Sequence, residues 1–274
     1  MPALPRSRAD VLAARRASNL DIAAVVPARN EQETVAEVVA GLVELVEADL
    51  LSEVVVVDGR STDATAARAA GAGARVIEQA TRPDRLPAGH GKGDALWQGL
   101  GATTADVVLF VDADVRGFTP DFVVPLVAPL LVQPEVQLVK AAYQRPLATT
   151  GDPTGGGRVT TLMARPLLHV LWPELAFLKQ PLAGEYAGRR SLLERVPFVQ
   201  GYGVEIALLL DTLALHGPEA ITQVDLRVRA HGHQPLDALG AMATEILTVA
   251  LDRARSQGRL TPELTVRERP PTAG

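Results

Sequence analysis

Short apolar runs alternate with segments of helical periodicity along the first half of the chain. Residues 21–31, DIAAVVPARNE, are typical of a buried strand that ends at Pro27, and residues 32–46, QETVAEVVAGLVELV, place apolar residues at helical spacing. Residues 50–77 repeat this order with a strand, a polar turn, a helix and a short strand at Arg75 to Ile77. Two successive strand–helix units predict an α/β fold with a doubly wound, mostly parallel sheet.

A third helix and strand follow a polar loop at residues 79–91. The sequence GKGDALWQGLGATTAD, residues 91–106, predicts a helix that opens on a lysine between two glycines. The apolar run VVLFV, residues 107–111, predicts a strand that leads directly into Asp112-Ala113-Asp114.

The second half of the chain is less regular. The sequence predicts a strand within residues 136–146 and glycine-rich turns that enter helices within 154–172 and 201–217. It also predicts an alternating edge strand within 221–235 and an amphipathic helix within 239–256. We see no internal repeat and no clear linker. The sequence therefore predicts an N-terminal arm at 1–20, one domain at 21–255 with halves at 21–140 and 141–255, and a C-terminal tail at 256–274.

The composition narrows the classes of ligand. The hydrophobic fraction is 47% with only 4% aromatic residues, which suits helices packed on a parallel sheet. The chain has no cysteine, so a metal would have oxygen or imidazole ligands, which favours Mg²⁺ or Mn²⁺. A formal net charge of −5 argues against a nucleic-acid partner.

Two features bear on location. There is no apolar window of about 18 residues and no secretory signal, so we expect no stable membrane insertion and a cytoplasmic protein. The N-terminal arm carries Arg6, Arg8, Arg15 and Arg16. This pattern indicates either a lipid-facing helix or a solvated or packing helix.

Three strand ends carry the candidate chemistry, because ligands of open α/β sheets bind at the carboxyl ends of the strands. They are Pro27–Glu31, Asp58–Asp63 and Asp112–Asp114. The two aspartates of the last group suit a divalent cation, or else they cap a turn. Asp58 suits ribose hydroxyls or a base N–H, while Ser61 and Thr62 suit helix capping.

Two basic motifs are candidates for anion binding. Lys92, between Gly91 and Gly93, could meet a base carbonyl or a phosphate, with glycines that let a ligand reach the backbone; a solvated loop lysine is the alternative. TGGGRVT places Gly157, Arg158 and Thr160 at a helix start, which suits a phosphate or carboxylate, or else forms a simple turn.

Carboxylate and imidazole groups occur further along the chain. Glu205 lies at a predicted helix start. It is either a site residue or a carboxylate that complements the helix dipole, and the sequence favours neither role. His231 and His233, close to Arg229, would share one face of an extended segment. His231 could complete a metal site with Asp114, although an isolated histidine is more often structural.

These motifs together resemble one family. The segments VVPARNE, VVDGRSTDAT, GKGDALW, FVDADV, QLVKAAYQRP, GGGRVTTLMARPLL, QPLAGEYAGRR, GYGVEIALLLDT and QVDLRVRAHGHQPLDALGAMA are similar, in this order over residues 21–250, to the glucosyl-3-phosphoglycerate synthases. These are actinobacterial retaining glycosyltransferases of the GT-A fold. The resemblance implies Mg²⁺-dependent transfer of glucose from UDP-glucose to D-3-phosphoglycerate by a homodimer, on the route to methylglucose lipopolysaccharide or glucosylglycerate.

The resemblance also implies residue roles. It makes residues 21–140 the nucleotide-sugar half and residues 141–255 the acceptor half. It places the metal on Asp114 and His231, and it gives Glu205, Asp114 and Arg229 the roles closest to the reaction. The implied nucleotide-sugar contacts are Pro27, Ala28, Glu31, Asp58, Lys92, Asp112 and Tyr202, and the implied acceptor contacts are Gly157, Arg158, Thr160 and His233.

Two departures from the family pattern affect these roles. The turn after the second strand usually reads Asp-Ser-Gly-Ser in the family, whereas here it is Asp58-Gly59-Arg60-Ser61, so a serine contact to the nucleotide is absent. His233 stands where the family more often has asparagine. The first departure leaves GDP-linked donors open.

Other functions remain as alternatives. A mannosyl-3-phosphoglycerate synthase that uses GDP-mannose is the nearest one, and a polyprenyl-phosphate glycosyltransferase fits less well without a membrane segment. A sugar-phosphate nucleotidyltransferase should have a glycine-rich loop where this chain has PARNEQET. A non-catalytic nucleotide-binding module would bind a nucleotide without turnover.

Overall fold

Seven strands form one mixed sheet in the computed structural model, which describes residues 4–5, 7–79, 91–144, 157–228 and 236–260. The strands are β1 (Ile22–Ala28), β2 (Glu53–Asp58), β3 (Arg75–Glu78), β4 (Val107–Phe110), β5 (Leu138–Gln144), β6 (Tyr186–Arg189) and β7 (Ile221–Val228).

The sheet order is β3-β2-β1-β4-β6-β5-β7. The first four strands are parallel, and β5 is parallel to β7. Only β6 runs against its two neighbours, β4 and β5. The prediction of a mostly parallel sheet is therefore confirmed.

Helices cover both faces of this sheet. They are α1 (Arg8–Ser18), α2 (Val35–Glu47), α3 (Thr65–Gly71), α4 (Gly91–Ala102), α5 (Val124–Val132), α6 (Arg165–Leu171), α7 (Arg190–Leu193), α8 (Val204–His216) and α9 (Leu236–Ser256).

Successive residues of a strand contribute to different cores. Ile22 and Ala24 of β1 pack into one core with α2 and α5, whereas Val25 packs into a second core with α4 and α8. Because both faces are covered, the strands are continuously apolar rather than alternating. This explains why the runs in the first half of the sequence predict the strands so directly.

The sequence did not predict β6, the short helix α7 or a π-helical turn in the second half. The strand β6 is short, and its sequence YAGR carries little β signal. The predicted helix that ends near Trp172 begins with a π-helical turn at Thr160–Ala164 before α6 continues it. Pro166, in the first turn of α6, has no N–H to donate into the regular α-helical ladder, which is a physical reason for the wider turn.

Both ends of the described chain pack on the body of the protein. Helix α1 buries Val11 and contacts α5, and Arg15 forms an ion pair of 2.7 Å with Asp21, so the basic arm is a packing helix. At the other end, Arg259 forms an ion pair of 2.8 Å with Glu174. The packed chain thus continues past residue 255, where the predicted tail was placed.

No helix in the described ranges is long and apolar enough to span a membrane.

A glycine in α4 lets this helix approach the sheet closely. A methyl group at Gly99 would overlap the Val25 side chain and lie 3.1 Å from Val57 Cγ2, whereas one at Gly101 would meet no atom within 4 Å. We therefore expect Gly99→Ala to lower the free energy of unfolding by about 1–3 kcal/mol through overpacking. Gly101→Ala, in the same helix, should raise it by a few tenths to about 1 kcal/mol because alanine favours helices.

Chemical denaturation of both variants beside the wild type measures these changes. Equal stabilities of Gly99→Ala and Gly101→Ala would contradict the close approach of α4 to β1.

Candidate functional site

A cleft of about 630 Å³ lies at the carboxyl ends of β1 and β4, where the sequence predicts a site. It brings together most of the predicted site residues from both halves of the chain. Those that line it are Pro27, Ala28, Glu31, Lys92, Asp112, Asp114, Gly157, Arg158, Thr160, Tyr202 and Glu205.

Three predicted residues, Arg229, His231 and His233, lie outside the described residues. Their roles therefore stay predictions.

A half-buried lysine joins the two halves of the cleft. Lys92 Nζ lies 2.5 Å from Asp112 Oδ1 and 2.7 Å from Glu205 Oε1. Burial alone would lower the pKa of Lys92, but the charges of Asp112 and Glu205 outweigh it, and the pKa lies well above its ordinary value. Lys92 is thus a charged anchor and not a solvated loop lysine.

The glycines beside Lys92 let the first turn of α4 pack closely against another segment. A methyl group at Gly93 would overlap the Val199 carbonyl oxygen. Gly91 has a φ of 75°, and a methyl group there would lie 3.0 Å from Gly201 Cα. The first turn of α4 therefore packs against residues 199–201. Because Gly91 also lines the cleft, the approach of a ligand to this backbone stays a prediction.

A further glycine, missed in the sequence, fixes Asp112. A methyl group at Gly184 would overlap the Asp112 carboxylate, so this carboxylate lies flat against the Gly184 backbone. Gly184 also lines the cleft. Its segment, PLAGEY, has an irregular backbone, and its contact with Asp112 is a tertiary one that no local pattern indicates.

Asp58 organises a turn and does not line the cleft. Its Oδ2 accepts a hydrogen bond of 3.1 Å from Ser61 N, and Ser61 Oγ accepts one of 2.9 Å from Asn30 N. The buried Oδ1 of Asp58 has no hydrogen-bond partner among the described residues. The predicted contact between Asp58 and a nucleotide stays a prediction, while Ser61 ties the β1 and β2 turns together.

Gly59 and Arg60, where the turn departs from the family pattern, each have a distinct backbone environment. A methyl group at Gly59 would lie 3.1 Å from Arg29 Cβ and 3.3 Å from the Ala28 carbonyl oxygen, so a side chain at position 59 would crowd Arg29. Arg60 adopts a φ of 59°, a left-handed conformation that costs about 1 kcal/mol or more for a residue with a Cβ. Arg29 and Gly59 both line the cleft.

Helix α9 forms one wall of the cleft. Glu245 Oε2 accepts a hydrogen bond of 3.0 Å from Tyr202 N, which holds the Gly201–Gly203 turn in place. Leu239, Met242 and Ile246 add apolar surface to the same wall. The amphipathic pattern predicts the helix, but it does not indicate that one of its faces lines the site.

Negative charge accumulates at the end of β4. Burial, followed by the charges of Asp114, Asp112 and Asp63, raises the pKa of Glu31 to about 7. Oxygen donors in a region of excess negative charge fit a hard divalent cation. Within the described ranges no group of three or more potential metal ligands occurs. The metal site of Asp114 and His231 stays a prediction.

Comparison with known sequences gives a consistent family. The family described as "Glycosyl transferase family 2" matches residues 23–195. The glucosyl-3-phosphoglycerate synthase of Mycobacterium tuberculosis (strain CDC 1551 / Oshkosh) is 48% identical over 237 residues, which are 85% of this chain and 73% of that protein. The synthase of Petrotoga mobilis is 44% identical over 246 residues, or 88% of this chain and 76% of that protein.

Solved structures agree with the sequences. The glucosyl-3-phosphoglycerate synthase of M. tuberculosis in complex with Mn²⁺, UDP-glucose and phosphoglyceric acid has a TM-score of 0.82 and 44% identity, covering 93% of this chain and 85% of that one. The same enzyme with Mn²⁺, UDP and glucosyl-3-phosphoglycerate also has a TM-score of 0.82 and 44% identity, covering 92% and 86%. These matches confirm the GT-A fold that the motifs imply.

The raised pKa of Glu31 predicts a pH dependence of stability in the absence of metal. Because the folded protein holds this proton up to about pH 7, the stabilisation is full below pH 4.5 and is lost as the pH rises through 7. Allowing for partial exposure, we expect the wild type to lose about 1–2 kcal/mol more than Glu31→Gln between pH 5 and 8.

Chemical denaturation in EDTA at several pH values measures this difference. Glu33→Gln, which removes an exposed carboxylate two residues away, serves as the control and should follow the wild type. Parallel pH curves for the wild type and Glu31→Gln would contradict the crowding of carboxylates around Glu31.

Proposed function

The chain belongs to glycosyl transferase family 2 and, within it, to the glucosyl-3-phosphoglycerate synthases, and on that premise we propose that it transfers glucose from UDP-glucose to a hydroxyl group of D-3-phosphoglycerate. The product is glucosyl-3-phosphoglycerate, formed with retention at the anomeric carbon. One observation carries the proposal most directly: a single cleft joins the Lys92–Asp112–Glu205 cluster to the anion-binding motif at Arg158.

The donor binds against the first half of the chain. Pro27 and Ala28 line the end of the cleft where β1 finishes, and the Lys92 ammonium lies beside Asp112 deeper inside. As the bond between the sugar and the diphosphate breaks, negative charge develops on the diphosphate. A fixed ammonium stabilises that charge without reorganising, which favours the transition state.

Mg²⁺ or Mn²⁺ fits the oxygen-rich end of β4, with Asp114 and His231 as its protein ligands. When bound, the cation supplies Lewis-acid stabilisation of the leaving diphosphate. Solved structures of the M. tuberculosis synthase contain Mn²⁺ or Mg²⁺ together with UDP, which supports this choice of cofactor.

The acceptor binds at the start of the π-helical turn. Gly157 has a φ of 71°, a conformation that favours glycine, and Arg158 and Thr160 follow it on the cleft wall. A guanidinium group and helix-start N–H groups suit the phosphate or the carboxylate of 3-phosphoglycerate. Tyr202 and Arg229 complete the proposed pocket between donor and acceptor, with His233 on the acceptor side.

Glu205 orients the sugar and does not form a covalent intermediate in this proposal. Its carboxylate is buried and bound to Lys92, which lowers its reactivity as a nucleophile. We propose front-face attack, in which the acceptor oxygen bonds to the anomeric carbon while the diphosphate leaves and takes up the acceptor proton. Trapping a glycosyl adduct on Glu205 would overturn this route.

GDP-mannose is the alternative donor that the sequence leaves open. The exchange to Gly59 and Arg60 alters the turn at the nucleotide end of the cleft, where Arg29 lies against Gly59. Competition between UDP-glucose and GDP-mannose for one acceptor decides between the two donors.

We also propose a cytoplasmic homodimer. The exposed leucines Leu247 and Leu251 on α9 support contact through the C-terminal helices. The proposed substrates are phosphorylated metabolites, which supports the cytoplasmic location.

The proposed reaction predicts metal-dependent turnover. Purified protein with UDP-glucose, 3-phosphoglycerate and Mg²⁺ should release UDP and form a glucosylated phosphoglycerate, detected by mass spectrometry. Omitting Mg²⁺ or introducing Asp114→Ala should lower the rate about 100-fold or more. Equal rates in all three conditions would contradict the metal assignment, and no turnover with any sugar nucleotide would favour a binding module.

The contact between Gly184 and Asp112 predicts a second activity change. The methyl group of Gly184→Ala should push the Asp112 carboxylate away from Lys92 and lower kcat/KM about 100-fold. Gly71→Ala, whose methyl group would meet no atom within 4 Å, is the control and should retain wild-type activity. Full activity of a folded Gly184→Ala protein would rule out the proposed role of this contact.

A further inference from the structure

A buried lysine, Lys140, lies behind the cleft and has no part in the reaction described above. It is located in β5 and is 1% exposed. Its Nζ donates a hydrogen bond of 2.5 Å to the Ala183 carbonyl oxygen and lies 4.4 Å from the centre of the Tyr186 ring. Burying an ammonium group costs several kcal/mol unless it is compensated, so filling space alone does not account for a lysine here.

The backbone that Lys140 holds is a wall of the cleft. Leu182 and Gly184 line the cleft on either side of Ala183. The next residue, Glu185, is fully buried and accepts a hydrogen bond of 2.8 Å from Tyr143 OH, which also belongs to β5. Two side chains of β5 thus fix this segment, and Gly184 in turn lies against the Asp112 carboxylate.

The charged groups around the cleft also affect the pKa of Lys140. Burial lowers its pKa to about 8, and Lys92 acts in the same direction, while Glu205, Glu185 and Asp112 oppose the shift. Lys92 lies in α4, Glu205 in α8, Glu185 in the segment before β6 and Asp112 at the end of β4. Three carboxylates are therefore offset by two ammonium groups, of which only Lys92 lines the cleft.

We propose that Lys140 is a positioning residue for the sugar-nucleotide donor: it holds the Leu182–Gly184 wall and offsets the carboxylates behind it, so that the anionic diphosphate can bind. The inference rests on the proposed function, because it takes the donor to be a nucleoside diphosphate sugar. It adds to that function a residue that touches neither substrate and acts through Ala183 and through its charge.

The test measures UDP binding by calorimetry at constant, saturating Mg²⁺, independently of glucose transfer. In Lys140→Met the side chain keeps its length and loses its charge. We expect the dissociation constant of UDP to rise about tenfold, and the KM for UDP-glucose to rise more than the KM for 3-phosphoglycerate. The midpoint of chemical denaturation should fall, because the Ala183 carbonyl oxygen loses its donor and the buried carboxylates lose a compensating charge.

Lys179→Met is the matched control. It removes the same charge from an exposed lysine close to this segment in sequence, and it should leave UDP binding unchanged. An equal loss of affinity in both variants, or a less stable Lys140→Met protein with unchanged UDP affinity, would overturn the proposal.

A pH series on the wild type tests the charge even if Lys140→Met does not fold. As Lys140 loses its proton above about pH 8, the affinity of the wild type for UDP should fall between pH 7 and 9. Tyr143→Phe, which removes the hydroxyl that donates to Glu185, should keep this fall. A flat profile in the wild type would overturn the proposal, whereas UDP binding without any glucose transfer would count against the proposed reaction alone.

Discussion

The contact of the Lys92 ammonium with Asp112 and Glu205 is the interaction on which the site depends. Asp112 follows a parallel strand of the first half, and Glu205 begins a helix of the second half. Buried charges are tolerated when they are paired, and losing one partner leaves the others uncompensated at a cost of several kcal/mol. The cluster therefore links the two halves of the cleft.

Close backbone approach makes this cluster possible. Lys92 reaches both carboxylates because Gly91 and Gly93 let the start of α4 pack onto residues 199–201, which lead directly into the turn before Glu205. On the other side, the missing side chain of Gly184 leaves the space that the Asp112 carboxylate occupies. Each of these glycines leaves room for the packing that positions a charged side chain. A methyl group at any of them would therefore displace a charged group as well as the backbone.

The sequence predicts those parts of the fold whose signals are local. Runs such as VVLFV identify buried parallel strands, and the carboxyl-end rule places Asp112 and Asp114 in one site before any contact is known. Gly184, Glu245 and Lys140 could not be found in this way, because their roles arise from tertiary contacts between segments 40 or more residues apart. From the sequence alone, the lysine in VQLVKAAYQRP cannot be told from an exposed lysine of an edge strand. The pairing of β5 with β6, and the contact with the segment before β6, show that it is buried.

The electrostatics of the cleft also explain how an acidic protein accepts two anionic substrates. The net charge of −5 gives no general attraction for them, and burial together with the charges of Asp114, Asp112 and Asp63 raises the pKa of Glu31. In the proposed reaction, individual cations at fixed places meet these anions: Lys92 and a divalent metal on the donor side, and Arg158 on the acceptor side. Because the metal neutralises carboxylates and diphosphate together, its binding and that of the donor should reinforce each other, whereas the acceptor has its own guanidinium and should depend less on the metal.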